Sequence, residues 1–501
     1  MPGELDIKIR LPYFSDQEKI KKLNCKTKFM TPIKFGTDGW RAIIADGFTF
    51  ENLNIVSQAA ASWILDEKIT KNGVVIGYDA RFLSREFAEH AASVFAECGL
   101  PVRISDSIVA TPVISWAAKH YDATGIVITA SHNPPVYNGF KIKAPFGGSA
   151  SPEQIDGVEE KLQKIKSPLV VRPFNNLKKL GLIREMDFAE GYLNVIRKRI
   201  DIDSIKDSGL KIGHDPMHGS GSGLLKRLLG DRVKEIHANR DPLFGGKAPE
   251  PMEQNMTDLS AFVIKNGCSL GIANDGDADR IGMVDENGAF VSSHLILSLL
   301  AKYLVHEKGL SGTIIKTFST TDMLNKQAKA YGLPLETTPI GFKYVAEKII
   351  KGDVLVGGEE SGGVSAKGHL PERDGIYIGL LITEMIVKSG TSLSSLVQEL
   401  FDEFGNHEYY RRDVQTDDAK KQGMIRFCND KKLTEIAGKK VIGWDMTDGI
   451  KHTLEDGSWL LVRQSGTEPV LRIYAEATDR KLAENLVNGT IKLLNEPEIL
   501  L

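Results

Sequence analysis

Short apolar runs rich in β-branched residues recur along this chain, and each ends abruptly at turn-forming residues. Val74-Val75-Ile76, Gly125-Ile126-Val127-Ile128, Leu270-Gly271-Ile272-Ala273, Thr313-Ile314-Ile315-Lys316 and Val354-Leu355-Val356 have the length and make-up of buried strands. Between them lie stretches with helical spacing. Phe87, Ala88, Ala91, Ala92 and Phe95 share one face of a helix capped by Ser84. Further helices are predicted over Leu224–Leu229, His294–His306 and Gly375–Lys388, from Thr321, after Lys343 and from Asp479. This alternation reads as βαβ units, hence largely parallel sheets under helical cover. Ile76-Gly77-Tyr78-Asp79, Ile212-Gly213-His214-Asp215 and Ile272-Ala273-Asn274-Asp275 share one local pattern, an apolar strand capped by Asp, without being a sequence repeat. From about residue 405 the character changes. Asp448-Gly449 and Asp456-Gly457 mark tight turns, and Trp459–Val462 and Leu471–Glu476 read as antiparallel strands.

Size and charge then narrow the class. A chain of 501 residues has room for three or four domains. The pattern divides it into an extension or lone helix at 1–30, α/β units at 31–175, 176–289 and 290–404, and a smaller α+β unit at 405–501. The fold class expected is α/β with mixed sheets around a central cleft. A net charge of -3 argues against a nucleic-acid or membrane-surface partner. No apolar run is long enough to span a bilayer, and Met1-Pro2-Gly3-Glu4 does not open a signal peptide. Cys25, Cys98, Cys268 and Cys428 are far apart and read as reduced packing thiols, so the expected location is cytoplasmic.

The chemistry-bearing residues lie where the strands end. Thr129-Ala130-Ser131-His132-Asn133-Pro134-Pro135 delivers one hydroxyl, Ser131, on a stiff loop. The Asn138-Gly139 turn sends Lys141 and Lys143 back toward it. Phe35-Gly36-Thr37-Asp38-Gly39-Trp40-Arg41 sets an arginine after a tight turn, suited either to solvent or to a phosphate. Asp275, Asp277 and Asp279 alternate; in extended backbone they share one face, and oxygen-only ligands suit Mg²⁺ before zinc. A calcium loop is excluded, because its sixth position needs Gly and here holds Arg280. Glu359 and Ser361, in a glycine-bounded loop, suit sugar hydroxyls or a plain turn and helix cap. Arg463, Ser465 and Thr467, with Gly466 between them, suit a phosphate dianion or an exposed turn. His132 reads as a group that orients its loop, since no partner carboxylate is near in sequence. His214 and His218 read as structural, and the glycines from 219 to 223 as close packing rather than a phosphate cradle. Together the loops hold the parts needed for phosphoryl transfer on a sugar, with Arg41, Lys141, Arg280, Lys316 and Lys343 as cations where charge gathers.

Four loops in this order resemble the α-D-phosphohexomutase superfamily over roughly residues 33–495: Thr129–Pro134, Asp275–Arg280, Gly358–Gly363 and Arg463–Pro469. The resemblance implies three similar α/β domains and a smaller fourth around a cleft. It implies a phosphoserine at Ser131, Mg²⁺ held by Asp275, Asp277, Asp279 and an oxygen on Ser131, and Lys141 with Arg41 as acid/base candidates. Glu359 and Ser361 would bind sugar hydroxyls, the Arg463 loop the non-transferred phosphate, and Arg280, Lys316, Gly341 and Lys343 would assist. The implied reaction interconverts hexose 1- and 6-phosphates through a hexose 1,6-bisphosphate that also serves as activator, in a monomer or homodimer. Gly362-Gly363 departs from the endings of the glucose, dual glucose/mannose and glucosamine types, where a phenylalanine or Gly-His is usual. Glucose phosphate is the expected substrate, with mannose or glucosamine phosphate as alternatives; a magnesium-dependent sugar phosphatase and an inactive scaffold are the remaining classes.

Overall fold

The computed structural model describes residues 33–36, 38–464, 470–496 and 499. The expected extension at 1–30 and the residues Ser465, Gly466 and Thr467 lie outside the described residues.

Four sheets organise the chain. In the first, strands run in the order Trp40–Ile43, Tyr137–Ala144, Thr124–Ile128, Val74–Tyr78, Val102–Ser105 and Ile183–Met186, with Gly148–Ser149 paired outside that path. Ile183–Met186 pairs parallel to Val102–Ser105, so the first sheet passes the boundary at 175 that the sequence pattern suggested. Its Ile-Arg-Glu-Met sequence buries only Ile183 and carries too little apolar signal to read as a strand. The second sheet runs Phe290–Val291, Ile281–Asp285, Leu270–Asn274, Ile212–Asp215, Val233–Glu235, so Phe290–Val291 also falls across the expected boundary. The third runs Leu335–Thr338, Thr313–Thr317, Val354–Gly358, Val364–Ala366. The fourth, Glu408–Gln415, Val470–Ala477, Trp459–Gln464, Ile450–Leu454, Lys439–Asp445, Glu435–Ile436, is antiparallel throughout.

The first three sheets share one device. A strand that pairs parallel with its neighbour on one side leads into a loop, and the chain returns antiparallel on the other side. Thr124–Ile128 returns as Tyr137–Ala144, Leu270–Asn274 as Ile281–Asp285, and Val354–Gly358 as Val364–Ala366. The three loops so made are 129–136, 275–280 and 359–363, the ones read as chemical. The recurrence noted in sequence mixes two positions. Asp79 and Asp215 end the parallel neighbours of the loop-bearing strands, whereas Asp275 opens a loop itself.

Packing joins the units. One apolar cluster runs from Val113 and Ile114 through Leu225, Leu228 and Ile272 to Leu300, Ile378 and Leu381, so the first three units share a core. The helix Gly375–Ser389 crosses it and is buried from Gly375 to Ile386, in keeping with a sequence that is apolar nearly all round, with Glu384 the charged exception in that stretch. Among the described residues no single helix is long and apolar enough to cross a membrane. Phe318, Trp459, Leu461 and Tyr474 seat the fourth sheet on the third unit. Ser84 does not cap its helix. It is the first helical residue, after Leu83 in left-handed backbone, and its hydroxyl is taken by Asp79 at 2.7 Å. Asp374 and Asp479 do cap theirs, accepting from the amides of Tyr377 and Leu482. The helix expected from Thr321 starts at Met323, because Thr321 Oγ1 takes the Met323 amide in a turn.

Candidate active site

Ser131 is buried and sits in left-handed backbone at φ 52°, a conformation that costs a non-glycine residue free energy and is held here by its surroundings. Arg81 supplies much of that hold. Its guanidinium is fully buried, pairs with Asp79 at 3.0 Å, and donates to the carbonyl oxygens of Ser131, Asn133, Pro134 and Tyr137 at 2.6, 2.7, 2.9 and 3.1 Å. Thr129 and Ser84 hydroxyls complete the Asp79 carboxylate. The serine loop is therefore gripped from beneath, and Ser131 Oγ faces out to donate to Asp275 Oδ2 at 2.7 Å.

The Asp275–Asp279 segment is a turn, with Ala278 left-handed at φ 58°, and not the extended run that the alternation suggested. The turn still gathers the carboxylates: one oxygen from each of Asp275, Asp277 and Asp279 lies within 4.8 Å of the others, and all three residues are buried. Gly276 brings this turn against the serine loop, since a Cβ there would stand 2.5 Å from the Ser131 carbonyl oxygen. The glycine-rich run packs beneath, with the Ser220 amide donating to the Gly276 carbonyl at 3.0 Å. His214 is structural in its contacts. Its two ring nitrogens meet Glu235 at 2.8 Å and Asn274 Oδ1 at 3.0 Å, and Asn274 Nδ2 in turn donates to the Arg280 carbonyl and ties the ends of the turn.

Lys141 Nζ lies 2.7 Å from Asp277, 3.1 Å from Asp279 and 2.8 Å from Asp38. Burial opposes its charge, but these carboxylates outweigh burial and raise it above the ordinary lysine range. Burial likewise pushes Asp277 up, and Lys141 overcomes it and holds the carboxyl well below its ordinary value. Asp275 moves the other way: burial, then Asp277 and Asp279, push it well above the carboxylate range. Arg41 bonds Asn133 Oδ1 at 2.5 Å beside the serine, and Arg280 pairs with Glu250 at 2.9 Å. His132 Nδ1 is 3.3 Å from Ser131 Oγ. Burial and the nearby Arg280, Arg41, Lys141 and Arg373 hold His132 well below its ordinary value, so it is a neutral imidazole among cations.

The residues present fit a hard divalent cation. Asp277 Oδ1 and Asp279 Oδ1 are buried with no hydrogen-bond partner, while their Oδ2 atoms are taken by Lys141. An all-oxygen donor set with unpaired buried carboxylate oxygens suits Mg²⁺.

The 359–363 loop adjoins this centre. Ile281 N donates to the Gly362 carbonyl at 3.0 Å, and Arg280 bridges Gly363, so the loop's backbone is paired to the acidic turn. Glu359 is buried and pairs with Arg373 at 3.3 Å, and Ser361 Oγ is buried without a partner. The other expected cations have partners of their own. Lys316 is tied to Asp322 at 2.5 Å and to the Thr321 carbonyl, against the fourth unit. Lys343 Nζ lies over the Tyr344 ring, two residues after Gly341, which has φ 131°. Arg463 pairs with Asp448 at 2.8 Å, and Asp448 also accepts from the Ile340 amide at 2.8 Å, linking the 339–343 loop to the fourth unit.

Models for the phosphoglucomutase/phosphomannomutase alpha/beta/alpha domains I, II and III match residues 32–169, 190–288 and 292–404, and the model for the C-terminal domain matches 423–492. The chain belongs to this family. A phosphoglucomutase/phosphomannomutase of Thermococcus kodakarensis is 34% identical over 472 residues, covering 92% of this chain and 98% of the relative. A phosphoglucosamine/phosphogalactosamine mutase of Sulfurisphaera tokodaii is 31% identical over 474 residues, covering 92% and 98%. A Thermus thermophilus protein whose crystal structure bears the name phosphomannomutase matches with a TM-score of 0.82 and 34% identity, covering 93% of this chain and 99% of that one. The chain is thus a phosphohexomutase-family enzyme of three α/β units and a C-terminal unit.

Arg373, Asp38, Glu372 and Arg81, at or beside this phosphohexomutase centre, did not stand out in sequence. Arg373 joins Glu359, Asp279 and Asp38. Asp38 also meets Lys143 at 3.5 Å, and Lys143 is fully buried against Glu372 at 2.6 Å. A signal existed in Glu372-Arg373-Asp374, three charges opening a largely apolar helix, and in Asp79-Ala80-Arg81, an arginine two residues after a strand-capping carboxylate.

Proposed function

We propose that this phosphohexomutase interconverts hexose 1-phosphate and hexose 6-phosphate, with glucose phosphate as the preferred substrate and mannose or glucosamine phosphate as the alternatives. Ser131 carries the mobile phosphoryl group. A bound hexose phosphate presents its free hydroxyl; the Ser131 Oγ–P bond breaks as the new O–P bond to that hydroxyl forms. The resulting bisphosphate turns over and returns its other phosphoryl group to Ser131 Oγ. The single observation that carries this reading is Ser131 Oγ at 2.7 Å from Asp275, in a turn whose other carboxylates keep unpaired buried oxygens.

Asp275, Asp277 and Asp279, with an oxygen on Ser131, would hold Mg²⁺. Such an ion supplies charge stabilisation to a transferring phosphoryl group. The chain's own residues do the rest. Arg81 keeps Ser131 in place, Arg41 and Lys141 bring positive charge to the serine's surroundings, and neutral His132 orients the loop. Lys141, held as an ammonium, is the candidate to give its Nζ proton to Ser131 Oγ as that oxygen leaves and to take up the attacking hydroxyl's proton in turn, so that the serine ends as a hydroxyl and the lysine is unchanged. Glu359 and Ser361 would grip sugar hydroxyls, and the Arg463 loop the phosphate that stays. A hexose 1,6-bisphosphate would prime the serine.

The test is direct. Purified protein with Mg²⁺ and a trace of hexose 1,6-bisphosphate is given the 1-phosphates of glucose, mannose and glucosamine in turn. Isomerised sugar phosphate, fastest for glucose, is expected. Release of inorganic phosphate without isomerisation refutes the reading in favour of a phosphatase.

A further inference from the structure

We propose that Arg373 is the positioning residue that couples the sugar-gripping loop to the acidic triad, and that the glycine at 363 is what gives it room. The inference rests on the reading of the Glu359 loop as the one that grips sugar.

Arg373 lies nearly buried at the meeting point of three units. One guanidinium nitrogen is 3.3 Å from Glu359 Oε1 in the third unit. Another is 2.8 Å from Asp279 Oδ2 in the second unit and also pairs with Asp38 in the first. The planar fork can reach several carboxylates in fixed directions, which a lysine ammonium cannot reproduce. The Phe342 ring, next to Gly341, lies under the guanidinium at 5.4 Å. Burial pushes Glu359 up, and Arg373, with Arg280 second, is the cation that opposes it. Arg373 therefore keeps Glu359 aimed, and its charge opposes the rise that burial imposes on that carboxyl.

The path of Arg373 depends on Gly363. A Cβ built at Gly363 would lie 2.3 Å from Arg373 Cδ, 2.9 Å from its Cγ and 2.8 Å from Glu359 Oε1. Any side chain at 363 and the present course of Arg373 exclude each other. The loop cannot back away, because Glu359 N donates to the Gly363 carbonyl and Ile281 N to that of Gly362, each at 3.0 Å. The Gly362-Gly363 ending, which departs from the Gly-His of other types, thus has a physical partner ten residues on.

The experiment compares the wild type with Arg373→Ala, Arg373→Lys, Gly363→Ala, the Gly363→Ala/Arg373→Ala double variant and Glu359→Gln, in kcat and KM for the hexose phosphate and in half-saturating Mg²⁺, with melting curves confirming folded protein. Arg373→Ala is expected to raise KM and lower kcat by about tenfold each, and Arg373→Lys to recover part of the loss. Gly363→Ala is expected to cause a comparable loss alone and almost none on top of Arg373→Ala, the signature of coupled residues. Losses that multiply independently, or a Gly363→Ala variant with wild-type kinetics, overturn the inference. Glu359→Gln separates the two levels. If it is impaired while Arg373→Ala is not, only the role of Arg373 falls; if Glu359→Gln keeps wild-type KM, the sugar-loop reading falls and takes this inference with it.

Discussion

Replacing Arg81 by methionine probes the base of the site. The change keeps much of the side chain's bulk and removes its charge and all of its donors. In the structure Arg81 is 0% exposed, lies 3.0 Å from Asp79, and bonds three carbonyl oxygens of the serine loop and that of Tyr137 just after it. Removing one partner of a buried ion pair costs about 3–5 kcal/mol, because the other charge stays buried. Each carbonyl left without a donor adds about 1 kcal/mol or more unless water enters. A loss of at least about 5 kcal/mol local to the first unit is therefore expected even where water reaches the freed carbonyls, larger than an ordinary substitution. Hydrogen exchange is the suitable assay, since a multi-unit chain need not unfold in one step. Amides near 129–140 are expected to lose protection while those of the fourth sheet keep theirs. Because Ser131 Oγ loses its fixed placement, kcat is expected to fall about 100-fold, the scale of a one-ångström misplacement. Adding Asp79→Asn removes the stranded charge and is expected to restore a good part of the stability and little of the kcat. An Arg81→Met enzyme within about 1 kcal/mol of wild type, with normal kcat, would refute the reasoning.

Other outcomes follow from the same contacts. Asp277→Asn is expected to raise half-saturating Mg²⁺ by at least about tenfold and to release Lys141; unchanged metal dependence in an activity titration would speak against the triad. Burial holds the His452 imidazole down at about 4 against an ordinary 6.5, so the unfolded chain takes up its proton first. Its contribution is whole above pH 6.5 and is lost as pH falls toward 4, at about 1.4 kcal/mol per unit, so thermal melts of the C-terminal unit should drop across that window and His452→Gln should flatten the drop. Asp448→Asn, which weakens the hold on Arg463 and keeps an acceptor for Ile340, is expected to raise KM by about tenfold with little change in kcat; the reverse pattern in steady-state kinetics would place Arg463 outside substrate binding.

The loops were legible because their residue types are dictated locally. Pro134 and Pro135 stop a strand, Gly276 permits contact with the serine loop, and alternating aspartates have few other uses. The alternation was nevertheless misread as extended backbone, since Ala278 takes a left-handed turn that its sequence does not announce. Arg81, Asp38 and Arg373 were not picked out because a lone charged residue has the same appearance whether solvated or buried; only the fold brings their partners together, within the first unit for Arg81 and across units for Asp38 and Arg373. Lys316 was expected as an assisting cation; its pairing with Asp322, six positions on, was not foreseen, because the role of Asp322 depends on the docking of the fourth unit. The strand Ile183–Met186 escaped because an edge strand that buries one residue carries almost no apolar period.

The most direct measurement follows the phosphoryl group itself. Protein incubated with a hexose 1,6-bisphosphate is digested and its peptides are weighed, then the labelled protein is chased with hexose 6-phosphate. One phosphoryl group on the peptide holding Ser131, lost again to the sugar in the chase, is the expected result, with none acquired by Ser131→Ala. A Ser131→Ala enzyme that still interconverts the two sugar phosphates at the wild-type rate would contradict the account.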